Sequence, residues 1–274
     1  MKHGLAGGAR PHRPDWTIDQ GWERYTAEEH GTWRTLFERQ TKLLPGRACD
    51  AFVDGMKRLP IGPEAIPDFR RLSEVLYRTT GWTVVAVPGL VPDEVFFEHL
   101  ANRRFPAGQF IRKPDQLDYL EEPDVFHDVF GHVPMLMNRT LADYIQAYGA
   151  GGLRAQKLGV LPYLARVYWY TVEFGLVEQD DGIRIYGSGI ASSRTETVFA
   201  LENASPNRLG FDLEPKYIDY AWARRSQRSA VRPLQLVISA QTAADFVPGR
   251  SRGRTRHGSG LAARDRSRER GSTE

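Results

Sequence analysis

The stretch EEPDVFHDVFGHVPML, residues 121–136, decides how the rest of the chain is read. Its two histidines, His127 and His132, stand five residues apart. In the H-E-x-x-H pattern the separation is four, about 40° around a helix, whereas five residues give about 140° on an ideal α-helix. Both imidazoles then cannot share one face. Gly131 is suited to end a helix and Pro134 to prevent its continuation. The spacing therefore predicts His127 in a last helical turn and His132 returning from the turn beyond it. Taken alone, such a pair is read more economically as two core histidines making hydrogen bonds than as a metal site.

A second stretch changes that balance. LPYLARVYWYTVEFGLV, residues 161–177, holds only two charged side chains, Arg166 and Glu173, and is apolar on nearly every face, which predicts a buried helix. A buried carboxylate needs a partner. Arg166 lies seven residues back, about 10.5 Å along the axis at ~1.5 Å per residue, too far for a direct ion pair. A cation is the simplest alternative, and two histidines with one carboxylate make the facial triad of non-haem Fe(II) oxygenases, which keeps positions open for oxygen, water or substrate. An ion pair with an arginine distant in sequence is the competing reading. Zn²⁺ on the same ligands, activating water for hydrolysis, is another.

Around these stretches the 274 residues, 41% apolar and 26% charged, fit a soluble globular chain able to bury a core. The single cysteine, Cys49, excludes an internal disulfide and a Cys-rich zinc site, and points to a reducing, cytoplasmic setting. No stretch approaches the ~18 apolar residues of a membrane span. The net charge of +3 sits in the tail: residues 249–274 carry eight arginines against Asp265, Glu269 and Glu274, a net of +5, which leaves −2 for the remainder. Such a Gly/Ser/Arg segment has too little apolar surface to fold by itself, so it is expected to be disordered and functionally neutral. A nucleic-acid-recruiting tail on a binding protein is the alternative.

The expected organisation is a flexible segment 1–15, one domain over 16–248 and the Arg-rich tail 249–274. Within the domain the punctuation is mostly helical. Thr26 and Glu29 form a capping box, with Pro45-Gly46 closing the helix. IPDFRRLSEVLYRTTG, residues 66–81, reads as a helix ending at Gly81, and residues 82–87 as a strand. Pro92-Asp93 opens a helix through VFFEHLANRRF, residues 109–111 read as a short extended piece, and Pro123 suits a first helical turn. Helices are expected around residues 140–150, 162–176 and 194–202, and strands at 183–186 and 234–238. The fold class is mostly α with a few short strands. His30 and His99 fall on amphipathic helices and read as surface residues; His3, His12 and His257 fall in the tails.

EPDVFHDVFGHVP, followed by YWYTVEFGL and YGSGIASS, resembles the catalytic domain of the pterin-dependent aromatic amino acid hydroxylases, with similarity from about Pro67 to Leu236. The resemblance implies a single catalytic domain of that type, with iron on His127, His132 and Glu173. It implies that Arg112 clamps the amino acid carboxylate, a task suited to a guanidinium fork. Asp124 would help to hold that arginine, Ser192 would contact the amino acid, and Tyr119, Trp169 and Gly189 would line its pocket. Gly89-Leu90 and Phe96 match the loop and the stacking phenylalanine of the pterin site.

Where the animal enzymes read Y-T-P-E-P-D this chain has Tyr119-Leu120-Glu121-Glu122-Pro123-Asp124, and the acidic residue after the first histidine is Asp128, not glutamate, a pattern nearer the bacterial branch. The regulatory domain of the animal enzymes and an a/d heptad are missing, so a monomer is expected. The implied activity is hydroxylation of L-phenylalanine to L-tyrosine by O2 with Fe(II) and tetrahydrobiopterin or a related tetrahydropterin, with neither membrane nor nucleic acid as partner. A tryptophan hydroxylase of the same family is the alternative.

Overall fold

Helix α1 (Ala27–Leu43) begins where the chain caps itself: the Thr26 hydroxyl accepts from the Glu29 N–H at 3.2 Å, and the Glu29 carboxylate accepts from the Thr26 N–H at 2.7 Å. The computed structural model describes residues 11–118, 121–210 and 234–238. Of the flexible segment expected at 1–15, residues 1–10 lie outside the described residues, as does the disordered tail expected at 249–274, while Asp15 pairs with Arg104. After α1 come α2 (Asp50–Arg58), α3 (Phe69–Thr80), β1 (Thr83–Val87), α4 (Asp93–Ala101) and β2 (Arg104–Gly108). Then follow α5 (Arg139–Lys157), α6 (Leu161–Tyr168), β3 (Leu176–Gln179), β4 (Gly182–Ile185), α7 (Ser188–Ala191), α8 (Arg194–Glu202), β5 (Asn207–Gly210) and β6 (Leu234–Ile238). The mostly helical fold class holds. No described helix is long and apolar enough to cross a membrane.

The sheets are small. β1 and β2 pair in parallel, and the second sheet runs β4-β3-β6-β5, antiparallel between β3 and β4 and parallel elsewhere. The core around the histidine stretch is aromatic. Trp33 of α1 meets Phe126 edge-on at 5.3 Å, Phe126 stacks on Phe130 at 4.8 Å, and Phe37 meets Phe130 edge-on at 5.7 Å. Burial of these rings fixes α1 against residues 126–130, the stretch that carries the histidines.

Helices α4 and α5 pack closely because α5 carries glycine where α4 passes. A Cβ at Gly149 would fall 2.2 Å from the Ala101 nitrogen and 2.6 Å from the Leu100 carbonyl carbon. Those are backbone atoms and cannot swing aside. Gly149→Ala is therefore expected to destabilise the fold by about 1–3 kcal/mol or more, read as a lower denaturant midpoint. An unchanged midpoint would show that the two helices separate freely.

Several expectations are corrected. Helix α4 stops at Ala101 instead of running through Phe105, because Arg103 takes a left-handed φ of 53° while its guanidinium donates to Thr80 O, Gln146 and Asp143. The short extended piece expected at 109–111 is non-helical and follows directly on a strand not expected there, β2. Pro123 precedes the next helical segment, which starts at Phe126. The stretch 161–177 is not one buried helix: α6 gives way to a π-helical segment and then to β3, with Tyr163 and Trp169 half exposed. His99 is buried, 1% exposed, and its Nε2 lies 2.8 Å from Asp15 O. An amphipathic pattern could not reveal that, since the covering segment comes from 84 residues away.

Candidate metal and substrate site

Two π-helical segments build the centre. Residues Phe126–His132 form one and Trp169–Glu173 the other. In a π-helix the hydrogen bond closes on the fifth residue, so side chains five apart lie nearly above one another. That register overturns the expectation that His127 and His132 must come from different segments. Their rings lie 5.1 Å apart on one face of a continuous helical segment. Gly131 does not end that segment. It lets α7 approach, since a Cβ there would fall 2.9 Å from Ser188 O. In the second segment Phe174 N donates to Trp169 O, five residues back, at 3.1 Å, and this turn directs Glu173 at the histidine pair.

The Glu173 carboxylate lies between the imidazoles. Its Oε1 is 3.1 Å from His132 Nε2 and its Oε2 is 3.4 Å from His127 Nε2. One donor atom from each of the three residues lies within 4.8 Å of the others. Arg166 is not the partner of Glu173; its guanidinium lies over the Tyr163 ring at 4.7 Å. Burial opposes charge on both groups, but their mutual attraction outweighs it. His127 is pushed up to about 9 against burial by its hydrogen bond to Glu173 and the nearby carboxylates, and Glu173 is held well below the usual range by the two histidines. A pocket that favours a proton on imidazole against desolvation favours positive charge, and two nitrogens with one oxygen suit Fe(II). Donors at right angles and about 2.1 Å from a metal lie about 3 Å from one another, so the residues fit such an ion.

The surrounding hydrogen bonds set direction. Ser192 Oγ donates to Ser188 O at 2.7 Å and lies 2.9 Å from His127 Nδ1, so it accepts the Nδ1 proton and leaves Nε2 facing the centre. Ser192, expected to contact the amino acid, orients a histidine here. Asp124, fully buried, takes Arg112 in a fork: Nε to Oδ2 at 2.8 Å and Nη2 to Oδ1 at 2.9 Å. Asp124 Oδ1 also accepts from His127 N at 3.0 Å. One carboxylate therefore fixes both the arginine and the start of the histidine segment. Asp128 accepts from Gly108 N at 2.7 Å, and burial raises its carboxyl to about 6.

Around this centre lie most of the other expected residues. Trp169, 53% exposed, meets Phe174 at 5.1 Å, and a Cβ at Gly189 would stand 3.3 Å from that Phe174 ring and 3.5 Å from Glu173 Oε2. The bare glycine leaves space beside the carboxylate. Phe96, expected at the pterin site, meets Tyr168 edge-on at 5.3 Å, and Tyr168 directly precedes the segment that carries Glu173. The Gly89-Leu90 loop is held by Glu122, whose Oε1 accepts from Leu90 N at 2.9 Å. Tyr119 lies outside the described residues. Glu122 and Ser188 stand outside the expected set: the double acid before Pro123 signals the first, and nothing local marks the second.

The family model of the biopterin-dependent aromatic amino acid hydroxylases matches residues 21–227. A phenylalanine-4-hydroxylase of Caulobacter vibrioides is 68% identical over 212 residues, covering 77% of this chain and 72% of the relative. Solved structures agree. Phenylalanine hydroxylase from Chromobacterium violaceum with iron and phenylalanine bound superposes with a TM-score of 0.77 at 51% identity, over 86% of this chain and 85% of that one. Its form with iron(III) and 7,8-dihydrobiopterin gives 0.77 at 53% identity with the same coverage. With a match across most of its length and relatives this similar, the chain belongs to the biopterin-dependent aromatic amino acid hydroxylase family.

Proposed function

We propose that the chain hydroxylates L-phenylalanine to L-tyrosine with O2, with Fe(II) on His127, His132 and Glu173 and a tetrahydropterin beside Phe96 and the Gly89-Leu90 loop. The observation that carries this reading is a carboxylate between two imidazoles at 3.1 and 3.4 Å, within a chain of this family. Iron and reduced pterin supply the activation of oxygen when bound. The protein's part is orientation and exclusion of water. Arg112, held by Asp124, receives the substrate carboxylate, and Trp169, Tyr119, Gly189 and Ser192 surround the amino acid. A free, buried Cys49 supports a reducing, cytoplasmic setting.

Family membership favours the oxygenase over zinc hydrolysis and over nucleic-acid recruitment. Within the family, an unsubstituted ring leaves no polar group to satisfy in an apolar pocket. Tyrosine brings a hydroxyl that costs free energy when buried unpaired, and tryptophan needs more volume. Measured side by side with iron and one pterin, kcat/KM should rank phenylalanine first, tryptophan below it and tyrosine nearly inert. A higher value for tryptophan would assign the chain to the other activity.

A further inference from the structure

Ser188, the first residue of α7, has no role in the reading above, yet it touches the centre from two directions. It is 1% exposed, and its Oγ donates to Glu173 Oε2 at 2.7 Å. Its carbonyl accepts from Ser192 Oγ, the atom that in turn takes the His127 Nδ1 proton. The packing of Gly131 against Ser188 sets the depth at which α7 sits, as the Cβ distance of 3.1 Å from residue 131 to Ser188 Cβ indicates. A hydroxyl so enclosed has few rotamers to choose from, and the carboxylate is its nearest charged acceptor. Each carboxylate oxygen faces one imidazole, Oε1 that of His132 and Oε2 that of His127, and the Ser188 hydroxyl holds Oε2 in that orientation.

We infer that Ser188 is a positioning residue that fixes the orientation of the Glu173 carboxylate between the two imidazoles. Its hydroxyl, buried beside Gly131, donates to Oε2 and so holds the carboxylate plane where the ligands converge. A carboxylate without this tether can rotate away from that orientation. The inference rests on the assignment of His127, His132 and Glu173 as the metal ligands, and the test separates the two.

The test uses the full chain stripped of metal and titrated with Co(II), whose visible absorption reports the ligand set, in the parent, E173A and S188A. Ser188→Ala removes one atom and leaves the packing against Gly131 in place. In S188A the Co(II) Kd should rise about tenfold or more, in the range typical for partners that orient a ligand, and the d–d spectrum should change as the carboxylate loses its fixed orientation. E173A should lose more than S188A. A parent-like Kd or a parent-like spectrum in S188A, with Co(II) binding lost in E173A, overturns the role of Ser188 and leaves the ligand assignment intact. E173A binding Co(II) as the parent does would overturn the ligand assignment, and the role of Ser188 with it.

Discussion

His132→Ala is expected to lose bound iron and turnover together. The His132 side chain is 6% exposed, its ring lies 4.8 Å from that of Phe105, and its Nε2 is 3.1 Å from Glu173 Oε1. No neighbouring histidine among the described residues can take its place in the triad. Two ligands then remain where a facial site needs three, and a cavity opens beside Phe105. Loss of a partner that only orients a ligand weakens metal binding by roughly 10–100-fold. Loss of the ligand itself should exceed the upper end of that range. Turnover should fall in proportion to iron content, because the chain's own groups position the reaction and do not activate oxygen. Iron content and rate measured on the same preparation decide it. A His132→Ala protein with full iron and full rate would remove His132 from the centre, and Glu173 would need another explanation for its place between two imidazoles.

Much of the fold was legible because its signals are local. The capping box at Thr26 and Glu29, the left-handed Gly81 with φ 77° after α3, and the span of α8 all depend on residues within one turn of where they act. The site's ligand types were legible too, since a carboxylate in an apolar run is conspicuous. The way the ligands converge was not. An i→i+5 register replaces the α-helical one only where packing favours it, and here residues 126–132 pack against both α1 and α7, each more than fifty residues away in sequence. The 140° separation belongs to an α-helix and does not apply to a π-helical segment. Gly131 was read as a stop signal for the same reason, when its lack of a side chain serves the approach of Ser188. Short strands such as β3 and β5 were missed because four residues carry little periodic signal. The residues proposed for substrate and pterin follow from resemblance, since nothing about Phe96 or Gly189 in isolation separates a pocket residue from a core one.

Arg112→Ala should raise the KM for phenylalanine strongly and that for the pterin little. The side chain is 9% exposed, and its Nε and one Nη are committed to Asp124. The remaining guanidinium protons include those of Nη1, which makes only a 3.3 Å contact with Leu117 O. This geometry presents a charged, pre-oriented donor near the histidine segment, fixed by the same carboxylate that accepts from His127 N. A charge-assisted pair of this kind contributes about 1.5–3 kcal/mol, so the KM for the amino acid should rise roughly 10- to 150-fold. The substitution has a second effect. Asp124, with a fully buried side chain, loses its guanidinium and keeps only backbone donors, and stranding a buried charge costs about 3–5 kcal/mol of stability. The kinetic and structural losses separate by measurement: steady-state KM for each substrate at a temperature where the variant is folded, and the denaturant midpoint alongside. Equal increases in both KM values would mean that Arg112 supports the domain without receiving the substrate carboxylate. A large selective increase for the amino acid, together with a lowered midpoint, fits one residue held by Asp124 and reaching for a second carboxylate.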